Sequence, residues 1–80
     1  MKLPRDISGR DLANVLSGLG YKVTRQTASH IRLTTQRGGE HHITIPDHEA
    51  LRVGTLSAIL RDVGEHHHLE RQALLEELFS

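Results

Sequence analysis

Eighty residues suffice for one domain, which buries only about two-thirds of the surface its unfolded chain exposes, so the core has to be small. The absence of cysteine excludes disulfide staples, thiolate catalysis and thiolate metal sites, and it fits a reducing cytoplasm, the expected location. The opening Met1-Lys2-Leu3-Pro4-Arg5-Asp6 lacks the apolar stretch of a signal peptide or membrane anchor, so no membrane association is expected. The net charge is zero but unevenly placed. Met1 to Arg37 holds seven basic residues against two acidic ones, a net of +5, and the remainder nets −5. That is either a basic face for a polyanion with an acidic tail held away from it, or the unevenness of a short chain.

In chain order, Ser8 followed by Asp11 reads as an N-cap with an acidic first turn, and Leu12, Val15, Leu16 and Leu19 then recur at helical spacing. A helix is predicted from about Gly9 to Leu19, stopped by Gly20 in a left-handed conformation. The period then changes to two. Tyr21 to Gln26, His30 to Thr34 and His42 to Ile45 read as three strands, joined by a turn at Thr27-Ala28 and a hairpin over Gln36 to Glu40 with Gly38-Gly39. Pro46 ends the third strand, and a loop runs from Asp47 to Val53. Gly54-Thr55 introduces a second helix with Thr55 as N-cap, Leu56, Ile59, Leu60 and Val63 as its stripe, and Gly64 as its stop. Leu69, Ala73, Leu74, Leu75, Leu78 and Phe79 mark a last helix starting somewhere from His66 to Leu69.

The order αβββαα implies an α+β fold in which a three-stranded antiparallel meander has one face covered by helices, since so small a sheet is marginal alone. Val23, Ile31, Leu33, Ile43 and Ile45 are assigned to the covered face. His30, Arg32, Thr34, His42 and Thr44 then share the open face, a polar and partly cationic surface. Residues 1–64 form the core, and residues 65–80 a helical extension expected to pack on the same domain.

Ser29-His30 stands where a turn ends and a strand begins, so the imidazole is held by the sheet yet open to a substrate. Histidine titrates near neutrality and can take a proton from a ribose 2′-hydroxyl or give one to a leaving oxygen. RNA carries its own nucleophile beside the scissile phosphate, so a small protein need only position it, move a proton and stabilise charge. Lys22, Arg25 and Arg32 can supply that charge. On composition and spacing alone, His30 reads first as an ordinary polar residue of a solvated sheet face.

The stretches Lys2 to Gly9, Leu19-Gly20-Tyr21, Arg25 to His30, Ile45-Pro46-Asp47-His48 and Gly54 to Leu60 resemble the HicA toxins of bacterial type II toxin–antitoxin modules, over nearly all of residues 1–64. Ser29-His30 is similar to the family's Gly-Ser-His motif, and His48 to its Pro-x-His element. The resemblance implies a fold like a double-stranded RNA-binding domain, mRNA cleavage with His30 as the catalytic acid–base residue, and a HicB-like antitoxin as partner. Ser29, Lys22, Arg25, Arg32 and the helix-opening amides at Thr55 become the expected RNA contacts, with no cofactor and no metal. The chain departs from the family at Ala28, where glycine is usual. Glycine there allows a positive φ or a close approach of an RNA backbone, and alanine removes that allowance. With only Tyr21 and Phe79 as aromatics, RNA recognition is expected through shape and phosphate rather than base stacking.

His48 is read as pinning its loop to the strand end, and Asp47 and Glu49 as solvated. Consecutive residues of a helix or strand point apart, so neither His66-His67-His68 nor His41-His42 makes a structural zinc site, and the triple-histidine tract is expected to be exposed. The competing class is a module without catalysis, binding RNA or a protein partner. The oligomeric state stays open.

Overall fold

In a computed structural model, which describes residues 3–79, the chain forms helix α1 (Gly9–Leu16), strands β1 (Lys22–Gln26), β2 (His30–Thr35) and β3 (His41–Pro46), and helices α2 (Val53–His67) and α3 (Arg71–Phe79). Lys2, counted above in the basic half and in the opening stretch, lies outside the described residues. The strands form one open antiparallel sheet in the order β1-β2-β3, an α+β architecture consistent with the αβββα arrangement of double-stranded RNA-binding domains.

Helix α1 begins as its sequence dictates. The Ser8 side chain accepts from the Asp11 amide at 3.0 Å, satisfying a donor that the helix cannot. Its last turn tightens into a 3-10 turn over Ser17–Leu19, and Gly20 closes it at φ 84°. Leu12, Leu16 and Leu19 are buried against Ile31, Leu33, Ile43 and Ile45 from the sheet.

Four expectations are corrected. Val23 faces the helical layer, being paired with Leu33, yet it is 53% exposed because the helices lie over β2 and β3 and leave the β1 edge uncovered. Thr55 is not an N-cap. Helix α2 starts three residues earlier with Arg52 as its cap residue, because the amide of buried Leu51 donates to the Ile7 carbonyl and the chain turns immediately after that anchor. Gly64 does not stop α2. It lies buried inside the helix, where a Cβ would stand 2.9 Å from the Leu69 carbonyl oxygen, so its bareness serves close packing of the α2–α3 connection. The stop is His68, in the left-handed conformation at φ 57°, with the Leu69 amide donating back to the Gly64 carbonyl in a Schellman-type closure. The histidine tract is the fourth correction, since His66 and His67 are half-buried and only His68 is exposed.

Helix α3 contributes Leu74 and Leu75 to the buried core, with Leu69, Leu78 and Phe79 packed at its margin. At the opposite end, α1 and the end of β3 meet through bare backbone. A Cβ on Gly9 would fall 2.1 Å from the Pro46 carbonyl oxygen, and the Gly9 amide donates to the His48 carbonyl at 2.9 Å. This junction holds the strand end beside which His30 emerges.

Candidate functional site

His30 opens β2 opposite Pro46 of β3, on the face away from the helices, because Ile31 and Leu33 take the covered face. Its backbone is held on both sides. The His30 amide donates to Thr27 Oγ1 at 3.1 Å, and the His30 carbonyl accepts from the Thr27 amide at 2.9 Å. The Ser29 carbonyl accepts from the Asp47 amide at 2.9 Å, tying the β1–β2 connection to the end of β3. Ala28 between them does not adopt a left-handed φ, so this turn does not need glycine's conformational freedom.

The imidazole itself has one partner among the described residues. Ser29 Oγ lies 2.9 Å from His30 Nδ1, and a hydroxyl can serve either nitrogen state. With the proton on Nδ1, Oγ accepts and Nε2 keeps a free lone pair, the form of a base. Once Nε2 has taken up a proton, the imidazolium keeps its Nδ1–H on Oγ and Nε2–H is the acid. One serine thus supports both halves of an acid–base cycle.

The cations come together on the same face through an irregularity. Lys22 pairs with Thr34 and Val23 with Leu33, but the next partner of Arg32 is Arg25, so Thr24 is an extra residue in a β-bulge. Strict alternation would send Arg25 to the covered side with Val23. The bulge instead brings Arg25 onto the open face, directly opposite Arg32. Like charges directly opposite are unfavourable in a sheet, so this pair costs stability unless an anion sits over it. Thr24 Oγ1 lies 3.0 Å from Thr34 Oγ1, which in turn lies 2.7 Å from His42 Nδ1. His42 Nε2 reaches Glu40 at 3.0 Å, and hydrogen bonds from Gln36 and then His42 hold the Glu40 carboxyl below the usual range. The β1–β2 side of the open face is therefore cationic and the β3 side carries an anion.

Of the expected site residues, Lys22, Arg25, Arg32, Ser29 and His30 share this face or its edge, whereas Thr55 sits in the first turn of α2, in the helical layer. Asp47, expected to be solvated, is half-buried and pairs with Arg10 at 3.3 Å. His48 pins its loop as expected, but through its backbone carbonyl, while its side chain is exposed. Thr27 went unnoticed in the sequence, and its signal is a hydroxyl residue two or three positions ahead of the amides it accepts.

A second constellation, unforeseen from the sequence, lies on the covered side. Tyr21 OH is 2.7 Å from His41 Nδ1 and 3.2 Å from His67 Nε2, and His41 Nε2 is 3.1 Å from Asp62. His66 stacks on His41 at 4.3 Å with its Nε2 3.0 Å from the Arg37 carbonyl. Carboxylates and carbonyls only accept, so the proton positions follow: His41 and His66 carry theirs on Nε2, Tyr21 donates to His41, and His67 Nε2–H donates to Tyr21. Burial, reinforced by the Asp62 charge, pushes the Tyr21 phenol up to about 12. Burial, followed by the neighbouring cationic groups His66, Arg37, His41 and His68, lowers the His67 imidazole below its ordinary range. Among the described residues, no group of three or more histidine, cysteine or acidic side chains is arranged to hold a metal ion, and no helix is long and apolar enough to cross a membrane.

Neither the curated proteins nor the solved structures include a match to this chain. The family model described as HicA toxin of bacterial toxin-antitoxin matches residues 9–65, more than two-thirds of the sequence.

Proposed function

The chain belongs to the HicA family of toxins of bacterial toxin–antitoxin systems, a family that implies an antitoxin partner, and from that membership we propose that it is an endoribonuclease that cleaves mRNA by histidine acid–base catalysis. The observation that carries the reading is the pairing of Ser29 Oγ with His30 Nδ1 at 2.9 Å beside a cationic sheet face. In the proposed reaction, His30 Nε2 takes the proton of a ribose 2′-hydroxyl. The freed oxygen attacks the adjacent phosphorus, the bond from phosphorus to the 5′-oxygen breaks, and that oxygen takes the proton from the His30 imidazolium as it leaves, returning the histidine to its base form. Lys22, Arg25 and Arg32 hold the phosphate backbone and offset its developing charge. The products are a 2′,3′-cyclic phosphate and a 5′-hydroxyl. Thr55 has the weakest support as an RNA contact, since it belongs to the helical layer. A HicB-like antitoxin would silence the toxin by covering His30, and the cytoplasm, where mRNA is found, is the proposed location.

Induced expression of wild type and of His30→Ala, followed by growth and by mRNA integrity, tests the reading. Growth arrest and fragmented mRNA are expected with wild type alone. Equal growth and intact mRNA with both would leave a module that binds without cutting. Ser29→Ala is expected to lower cleavage by about tenfold, the scale of one lost hydrogen bond to a charged form.

A further inference from the structure

The cationic rows of the open face repeat at the spacing of an RNA backbone. Along β2 the open-face positions are His30, Arg32 and Thr34, each two residues and therefore about 6.7 Å from the next. Across the ladder, Arg25 joins the Arg32 row and Lys22 joins the Thr34 row, with the bulge at Thr24 absorbing the extra residue of β1. Three rows result: His30, then Arg25 with Arg32, then Lys22. Their separation is close to that between successive phosphates of one RNA strand.

The far row ends in a hollow of about 310 Å³ lined by Lys22, Thr24, Thr34 and Arg37, with the bare backbone of Gly20 at its edge. The β3 side is closed to a polyanion by Glu40, kept ionised by Gln36 and His42. The near side ends at His30, the first residue of β2. The line therefore has one direction, and its centre is the like-charged Arg25–Arg32 pair, which a phosphate lying over it would relieve.

We propose that this face is a phosphate track for one RNA strand, with the scissile phosphate at His30, the next phosphate on Arg25 and Arg32, the one after it in the Lys22–Arg37 hollow, and the bases turned away from the sheet. No phenylalanine, tyrosine or tryptophan lies on the face to stack a base, so the track reads backbone more than sequence. The inference rests on the reading of His30 as the cleaving residue and adds to it a register, a single side and a minimum substrate: the cut phosphate and two more on one side of it.

The test uses a short synthetic RNA with one mapped cleavage site, in which single phosphates are replaced by neutral methylphosphonates. Neutralising the first or second phosphate on one side of the cut is expected to lower kcat/KM about five- to tenfold each, the scale of one charge-assisted contact. The same replacements on the other side should stay within about twofold. In Lys22→Ala, the penalty at the second phosphate should shrink while that at the first persists, and in Arg25→Ala, where Arg32 remains, the penalty at the first should shrink while that at the second persists. Cleavage that ignores methylphosphonates on both sides, or loses equally on both, overturns the track and leaves the ribonuclease reading standing. If no RNA is cleaved by the wild-type chain at all, both fall together.

Discussion

The Tyr21 hydroxyl donates to His41 Nδ1 at 2.7 Å, and that contact leaves the phenol oxygen as the acceptor for His67 at 3.2 Å. A buried tyrosine thus joins the strand layer to the last turn of α2.

Stability should follow the titration of this cluster. His67 has a lowered pKa in the folded chain, so its contribution is present above the ordinary histidine value of 6.5 and is lost as pH falls through its folded value. Tyr21 has a raised pKa, so its contribution is full below 10 and is lost between 10 and about 12, by roughly 2–3 kcal/mol at most. Urea unfolding across pH should show an acid decline that His67→Gln flattens and an alkaline decline that Tyr21→Phe removes. An acid limb unchanged in His67→Gln would assign that decline to other groups.

Arg25→Ala should make the free protein more stable by about 0.2–1 kcal/mol at low ionic strength, because it removes a like-charge pair. Arg32→Ala should gain less, since Arg32 also lies within reach of the Glu40 carboxylate. Both gains should fade in high salt while RNA affinity falls. Thermal unfolding at two salt concentrations reads the first effect and filter binding the second. Destabilisation by Arg25→Ala at low salt would show that the pair is not a strained one.

Gly9→Ala should cost about 3 kcal/mol or more, because its Cβ would overlap the Pro46 carbonyl and neither backbone segment can yield without breaking the bond from Gly9 to His48. The damage should spread to the adjacent Asp47–Ser29 link. Amide exchange at Asp47 is therefore expected to quicken more than exchange at Leu33, in mid-sheet. Uniform acceleration would mean that the junction is not a local support of the site.

Thr35→Val should cost about 1–3 kcal/mol despite its matched shape. Thr35 is 1% exposed, its hydroxyl donates to the Leu19 carbonyl at 3.1 Å, and it accepts from the Arg37 amide at 3.1 Å. Denaturant unfolding measures this directly, and a change below about 0.5 kcal/mol would show that water replaces the hydroxyl.

The features legible in the sequence are those set by near neighbours. Helix α1 and its cap follow from Ser8, Asp11 and a stripe of leucines, and the alternation in β2 and β3 sorts Ile31 and Leu33 from His30 and Arg32. The bulge was not legible, because Thr24 differs from its neighbours only in its pairing with another strand. Gly64 misled because glycine serves both helix endings and close packing, and only the approach of Leu69 separates the two. The tyrosine–histidine cluster joins residues 20 and 46 positions apart, beyond the reach of any periodicity. Of the candidate site, the sequence carried the residue types and the motif, while the common face of Arg25 and Arg32 came from the register.

That register makes the bulge in β1 as consequential as charge. Loss of one codon at position 24 would remove only the extra residue, so Lys22, Val23 and Arg25 would alternate regularly, with both cations still on the open face and the net charge at zero. The same strand with Thr24 kept but paired without a bulge would hold every cation of this chain and still turn either Arg25 or Lys22 toward the helices. The bulge, more than the composition, therefore sets the electrostatics of this face.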